Sequence, residues 1–342
     1  MFSIMPDTPQ HQRPPTSSHA GPLDVPVAPR NPGTPLELDW IKEVRANRSA
    51  IERRTQTLSA RRTVKKEWQA AWLLRAITVM DLTTLAGDDT EGRVRRLCAK
   101  ARRPVRADLL EHMGAAQLPI RVAAACVYHA FVKVALDALH GSGIPVAAVS
   151  TGFPAGLTPF EQRIAEIRAS VEAGAEEIDV VISRSLVLTE NWGALYDEVR
   201  AMREACGDAH IKTILATGEL GTLRNVGRAS LVCMMAGADF VKTSTGKESV
   251  NATLPVGLVM ARAIREYHER TGHLVGLKAA GGIRTAREAL DWLVLVKDEL
   301  GDRWLHSDLF RFGASTLLTD IERQLEHFTT GRYSAIHRHP MA

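Results

Sequence analysis

Eight short runs of apolar and β-branched residues, each followed by a stretch with helical spacing, constrain this chain more than any other feature. The runs fall at 77–83, 122–128, 145–152, 176–183, 211–218, 239–246, 275–281 and 309–314. Apolar residues return every three or four positions over 91–101, 130–139, 159–173, 192–205, 223–235, 255–270, 286–296 and 316–327, which predicts helices there. Strand and helix in alternation favour a parallel sheet, since parallel neighbours need a crossover that a helix supplies. Eight such units are the number that closes a barrel, so the predicted class is α/β, a (β/α)8 TIM barrel. An open doubly wound sheet is the alternative. No Gly-x-Gly-x-x-Gly fingerprint follows the first run, and Gly246-Lys247 is followed by Glu248, which rules out a Walker loop.

The remaining chain divides by composition. Residues 1–36 carry nine of the sixteen prolines and almost no aromatic side chain, too little apolar surface to offset the entropy of ordering; a disordered leader is expected. Over 37–76 the pattern is helical, with Trp40, Ile41, Val44, Trp68, Ala71, Trp72 and Leu74 at helical spacings, so a helical extension should precede a catalytic barrel over 77–330. A polar tail follows at 331–342, in which His337-Arg338-His339 reads as solvated and not as a metal site. The net charge of +4 offers no polycationic arm for nucleic acid. Cys98, Cys126, Cys206 and Cys233 are dispersed without metal-ligand spacing, as expected of reduced thiols in a cytoplasmic protein. No apolar run reaches the ~20 residues of a membrane span.

Candidate chemistry gathers at the carboxyl ends of the runs, where barrels of this kind place their functional groups. The first run ends Asp81-Leu82-Thr83-Thr84, the fourth carries Asp179, the fifth ends Thr217-Gly218-Glu219, the sixth holds Lys242 and the seventh Lys278. Side chains alternate across a strand, so Lys242 shares the inward face with Phe240. An inward lysine loses hydration, which favours its neutral amine and makes it a candidate nucleophile toward a carbonyl. Taken alone, Lys242 is also readable as a lysine reaching from a strand end into water. Gly281-Gly282-Ile283-Arg284 and Phe312-Gly313-Ala314-Ser315-Thr316 follow the last two runs, where backbone amides and a helix N-terminus suit a phosphate, with Lys247 and Arg284 adding charge.

Asp179-Val180-Val181, Thr217-Gly218-Glu219-Leu220, Phe240 through Lys247, Lys278-Ala279-Ala280-Gly281-Gly282 and Phe312-Gly313-Ala314-Ser315 occur in this order, and together they resemble the deoxyribose-phosphate aldolase family. The resemblance runs from about Leu36 to the C-terminus; Arg61 to Trp68 and Gly331-Arg332-Tyr333 look like the longer form found in animals. It implies that Lys242 is the Schiff-base lysine, Lys278 the second lysine beside it and Asp179 the acid/base group. Lys247, Gly281, Gly282, Ser315 and Thr316 fall where the family holds the substrate phosphate, and Asp81, Thr83 and Thr245 on positions lining its pocket. Ala279 stands where relatives commonly have proline, and the reach of Tyr333 is left open.

The implied reaction is a class I cleavage of 2-deoxy-D-ribose 5-phosphate to D-glyceraldehyde 3-phosphate and acetaldehyde in deoxynucleoside catabolism, with no cofactor and no metal. The expected partner is a phosphosugar, with a homo-oligomer left open. Two alternatives stand beside it: another phosphosugar Schiff-base lyase or transaldolase-like barrel, and an RNA- or partner-binding barrel that uses the basic helices of the extension.

Overall fold

A computed structural model describes residues 28–61 and 63–339. Eight parallel strands close into one barrel in sequence order: β1 Met80–Thr83, β2 Ala124–Tyr128, β3 Val146–Ser150, β4 Glu177–Val181, β5 His210–Ile214, β6 Phe240–Lys242, β7 Gly276–Ala280 and β8 Phe310–Ala314. Closure is made by β1 against β8, with Met80 opposite Phe312 and Asp81 opposite Gly313, and this excludes the open sheet. Helices fill every predicted interval. The first strand begins later than expected, because Ile77 completes the stripe of Ala70, Leu73 and Leu74 in the helix Lys66–Thr78. A β-branched residue in a helix's last turn reads as strand by composition alone.

Alternation along the strands separates two environments. Leu82, Val127, Ala148, Val180, Ile211, Val241, Leu277 and Phe312 belong to the continuous apolar core between sheet and helices. The alternate positions face the barrel axis, and they include Asp81, Glu177, Asp179, Lys212, Lys242, Lys278 and Arg311, all buried. One large ring shares that interior. Phe240 lies 5.8 Å from Lys212 Nζ and 5.7 Å from the Arg311 guanidinium carbon, measured to its ring centroid. It fits because Gly276, opposite it on β7, has no side chain: a Cβ there would lie 2.2 Å from the ring.

The helical extension comprises Leu38–Glu43, Arg48–Gln56, Leu58–Arg61 and Lys66–Thr78. Trp40, Ile41, Ile51 and Leu58 are buried in the common core, so these helices form part of the barrel's shell. The expected leader over 1–36 lies mostly outside the described residues, and its last part is not disordered. Residues 28–36 run along the amino end of the barrel, where the Asn31 side chain donates to the carbonyls of Met234 and Ala238 at 2.8 and 2.9 Å and Arg30 pairs with Asp239 at 2.9 Å. Backbone amides and ion pairs supply the order that the apolar content did not promise. The C-terminal tail also departs from expectation. His337 and Arg338 are exposed, whereas His339 is buried against Glu326 at 2.7 Å and Glu322 at 3.4 Å.

Replacing Gly276 by alanine should cost about 1–3 kcal/mol in urea denaturation, the range for overpacking a filled interior. Combining it with Phe240→Leu should return part of that loss. A double variant no more stable than Gly276→Ala alone would show that the ring is not what the glycine accommodates.

Candidate active site

Lys242 closes β6, a strand of only three residues, and its register partner on β7 is Lys278. Both amines donate to the same oxygen, Asp179 Oδ2, each at 2.7 Å, so they are no further apart than twice that distance. Lys278 also reaches Asp81 Oδ2 at 2.5 Å, and Lys212 approaches the other Asp179 oxygen at 3.4 Å. One buried carboxylate therefore receives three amines.

The protonation preferences follow from these contacts. Burial by itself would raise the Asp179 carboxyl, but Lys242, Lys278 and Lys212 outweigh it and hold the group well below the usual carboxylate range. Lys278 is penalised by burial too, yet Asp179 and Asp81 hold its ammonium above the ordinary lysine range. Lys242 goes the other way. Burial lowers it first, Asp179 opposes, and the like charge on Lys278 adds to the lowering. Of two lysines bonded to one oxygen, one is fixed as a cation and the other is biased toward the free amine.

Above this cluster opens a cavity of about 430 Å³. Lys242 lines it, while Lys212, Lys278, Asp81 and Asp179 do not. Asp81 thus falls a layer lower than the pocket-lining position expected of it: its carboxylate is committed to Lys278 and to Arg311, the latter at 2.5 Å. Thr83 and Thr245 do line the cavity. The Thr83 hydroxyl donates to the Asp81 carbonyl at 2.8 Å, and the Thr245 hydroxyl accepts from the Lys247 amide at 3.0 Å.

The same cavity is lined by Lys247, Gly281, Gly282, Arg284, Ser315 and Thr316. Gly281 and Gly282 have φ of 80° and 83°, a conformation open to glycine at little cost. A Cβ at Gly281 would also meet Asn251 Oδ1 at 2.7 Å. Ser315 is the N-cap of the fifteen-residue helix Thr316–Thr330, and its hydroxyl makes no capping bond, so the first amides of that helix carry positive potential toward the cavity. Arg284 carries its charge beside the Glu288 carboxylate, which accepts from the Arg284 backbone amide at 2.8 Å. Arg93, which also lines the cavity, bonds Asp88 and Asp89, each at 3.1 Å. Tyr333 is elsewhere: 88 % exposed, it stacks on His327 beyond the far end of the same helix.

Glu177, Lys212 and Arg311, which complete the interior charge, were not anticipated from the sequence. The signal was present, since Lys212 lies between Ile211 and Thr213 and Arg311 between Phe310 and Phe312, as Lys242 lies between Val241 and Thr243. Glu177 opens β4 and Arg311 is the second residue of β8, toward the amino end, while the expectation was restricted to groups near the carboxyl ends.

A family model described as DeoC/LacD family aldolase matches residues 75–322. The chain is 62% identical over 312 residues to a mouse deoxyribose-phosphate aldolase, covering 91% of this chain and 98% of that one. It is 59% identical over 318 residues to the human deoxyribose-phosphate aldolase, covering 92% and 100%. Among solved structures, a putative deoxyribose-phosphate aldolase from Toxoplasma gondii aligns with a TM-score of 0.64 at 24% identity, over 76% of this chain and 98% of that one. The deoxyribose phosphate aldolase from Aeropyrum pernix aligns with a TM-score of 0.56 at 24% identity, over 77% and 98%.

Neutralising Asp179 should destabilise the protein as well as impair it, because three buried amines lose their shared counter-charge. Asp179→Asn should cost about 3–5 kcal/mol at pH 7 in urea denaturation. The folded-state pKa of Asp179 is depressed, so its stabilisation is fully present above the unfolded value of about 4 and lost as pH falls toward the folded value. The gap between wild type and variant should therefore narrow as pH drops below about 4. A gap that stays constant from pH 7 to pH 3 would mean that the carboxylate charge is not what the interior depends on.

Proposed function

This chain belongs to the DeoC/LacD aldolase family and splits 2-deoxy-D-ribose 5-phosphate into D-glyceraldehyde 3-phosphate and acetaldehyde; we propose that it does so through a Schiff base on Lys242. The supporting observation is positional. Of the three lysines inside the barrel, only the one biased toward its neutral amine opens onto the cavity.

In this reading the Lys242 amine adds to the C1 aldehyde of the open-chain sugar, and loss of water gives an iminium. The iminium withdraws the electron pair of the C2–C3 bond as the C3 hydroxyl loses its proton. Glyceraldehyde 3-phosphate departs, an enamine remains, and protonation at C2 followed by hydrolysis releases acetaldehyde and restores the amine. Asp179 is the acceptor for the C3 proton. Its depressed pKa makes it a reluctant base, so a water between it and the hydroxyl is the natural carrier. Lys278, an ammonium on the same carboxylate oxygen, is the matching donor.

The phosphate is assigned to the glycine-rich part of the lining. Amides of Gly281 and Gly282, the start of the helix Thr316–Thr330, the Ser315 and Thr316 hydroxyls, Lys247 and Arg284 supply donors and positive charge there. Thr83 and Thr245, which also line the cavity, would contact the sugar hydroxyls. The reading includes a place in deoxynucleoside catabolism, a cytoplasmic setting suited to four unpaired cysteines, and a homo-oligomer, as the Aeropyrum pernix aldolase is described as tetrameric.

Borohydride reduction in the presence of substrate should fix a two-carbon adduct on Lys242, with Lys242→Ala losing both adduct and turnover. Peptide mapping that places the adduct on another residue would overturn the assignment. Replacing Ser315 with aspartate should raise KM for the phosphorylated sugar far more than for deoxyribose, since it adds negative charge where a dianion docks. Equal losses on both substrates would remove the phosphate from this part of the lining.

A further inference from the structure

Below the cavity floor the barrel holds charges that no step above touches. Arg311 on β8 pairs with Asp81 and with Glu177, at 2.5 and 2.8 Å. Lys212 on β5 pairs with Glu177 and lies 3.4 Å from Asp179 Oδ1, on the side of that carboxylate away from Lys242. The faces of the other strands add little. Cys126 on β2 is a thiol that burial holds protonated, and Ala147 and Val149 on β3 do not titrate. Toward the amino end, Asp239 is neutralised by Arg30, and burial biases His210 to its uncharged form.

The interior therefore contains the carboxylates Asp81, Glu177 and Asp179 against the bases Lys212, Lys242, Lys278 and Arg311. Arginine stays charged. Lys278 is held between Asp81 and Asp179, and Lys212 between Glu177 and Asp179. These three cations balance the three carboxylates, and a fourth would leave unpaired charge in a buried space, where it is most costly. We propose that Lys212 is a positioning residue whose fixed positive charge, balanced on Glu177 and Asp179, leaves Lys242 as the one uncharged base of the barrel. It touches no substrate and acts through the shared carboxylate: without it, Asp179 would draw its missing counter-charge from a proton on Lys242. The inference rests on Lys242 being the nucleophile and adds what keeps it one.

The test is the pH dependence of kcat/KM for deoxyribose phosphate in Lys212→Met, Lys212→Arg, Glu177→Gln and the double variant Lys212→Met/Glu177→Gln, with the reduced adduct mapped in each. Lys212→Met should displace the alkaline rise upward by about one pH unit, a roughly tenfold loss at pH 7. Lys212→Arg should keep the wild-type midpoint. Glu177→Gln removes a negative charge and should move the midpoint toward acid. The double variant restores the balance and should lie within about 0.3 pH unit of wild type. A Lys212→Met enzyme slower at every pH with its midpoint unmoved, or a double variant displaced as far as Lys212→Met, would overturn the proposal. Should Lys212→Met fail to fold, the comparison of Glu177→Gln with the double variant decides, and identical midpoints overturn it. An adduct off Lys242 in the wild type would fail the reading beneath, whereas an adduct on Lys242 with unmoved midpoints fails only the role of Lys212.

Discussion

The Asp179 carboxylate is the contact on which the rest of the interior depends. Two lysines from adjacent strands bond one of its oxygens and a third approaches the other. An isolated carboxylate in this position would be driven neutral by burial, and isolated lysines would be driven neutral likewise. Assembled, they stabilise one another's charge, and of the two amines on the shared oxygen Lys242 is the one biased toward the free base. Strand order makes this possible: β4, β5, β6 and β7 are consecutive around the barrel, with Asp179 opposite Lys212 and Lys242 opposite Lys278, so the inward side chains of four strands converge on one carboxylate.

The apolar core and the reactive core are thereby kept apart. Helices press on the outer faces of the strands and carry the hydrophobic stabilisation, while the inner faces hold charge that contributes little net stability of its own. Phe240 is the exception, a ring among cations, and it depends on the glycine opposite for its space. The cavity repeats the division on a smaller scale. Its lining presents an amine whose pKa is lowered, together with backbone donors and the cations Lys247 and Arg284.

Much of this was legible in the sequence, and the places where it was not have physical causes. Eight alternating units announced the barrel, and the inward direction of Lys242 followed from its spacing to Phe240. The first strand was extended into a helix because Ile77 satisfies both periodicities. Residues 28–36 and His339 were read from composition as solvated or disordered; both are ordered by polar contacts to carbonyls and carboxylates distant in sequence, which composition does not encode. Lys212, Glu177 and Arg311 were within reach of the alternation rule that found Lys242, but what they do depends on which strands are neighbours across the axis, and that is a property of the closed sheet.

The ring of Phe240 has one more consequence. Opposite Gly276 and beside both Lys212 and Arg311, it fills the barrel axis with an apolar ring beneath the cluster of charges. Arg311 and Glu177 keep a trace of exposure that the cavity does not provide, whereas Asp179 and Lys278 are fully buried and adjoin the cavity through Lys242. In the proposed reaction, the proton that leaves the C3 hydroxyl would be carried within this buried cluster, and the hydrogen delivered to the departing acetaldehyde would be drawn from the same small store.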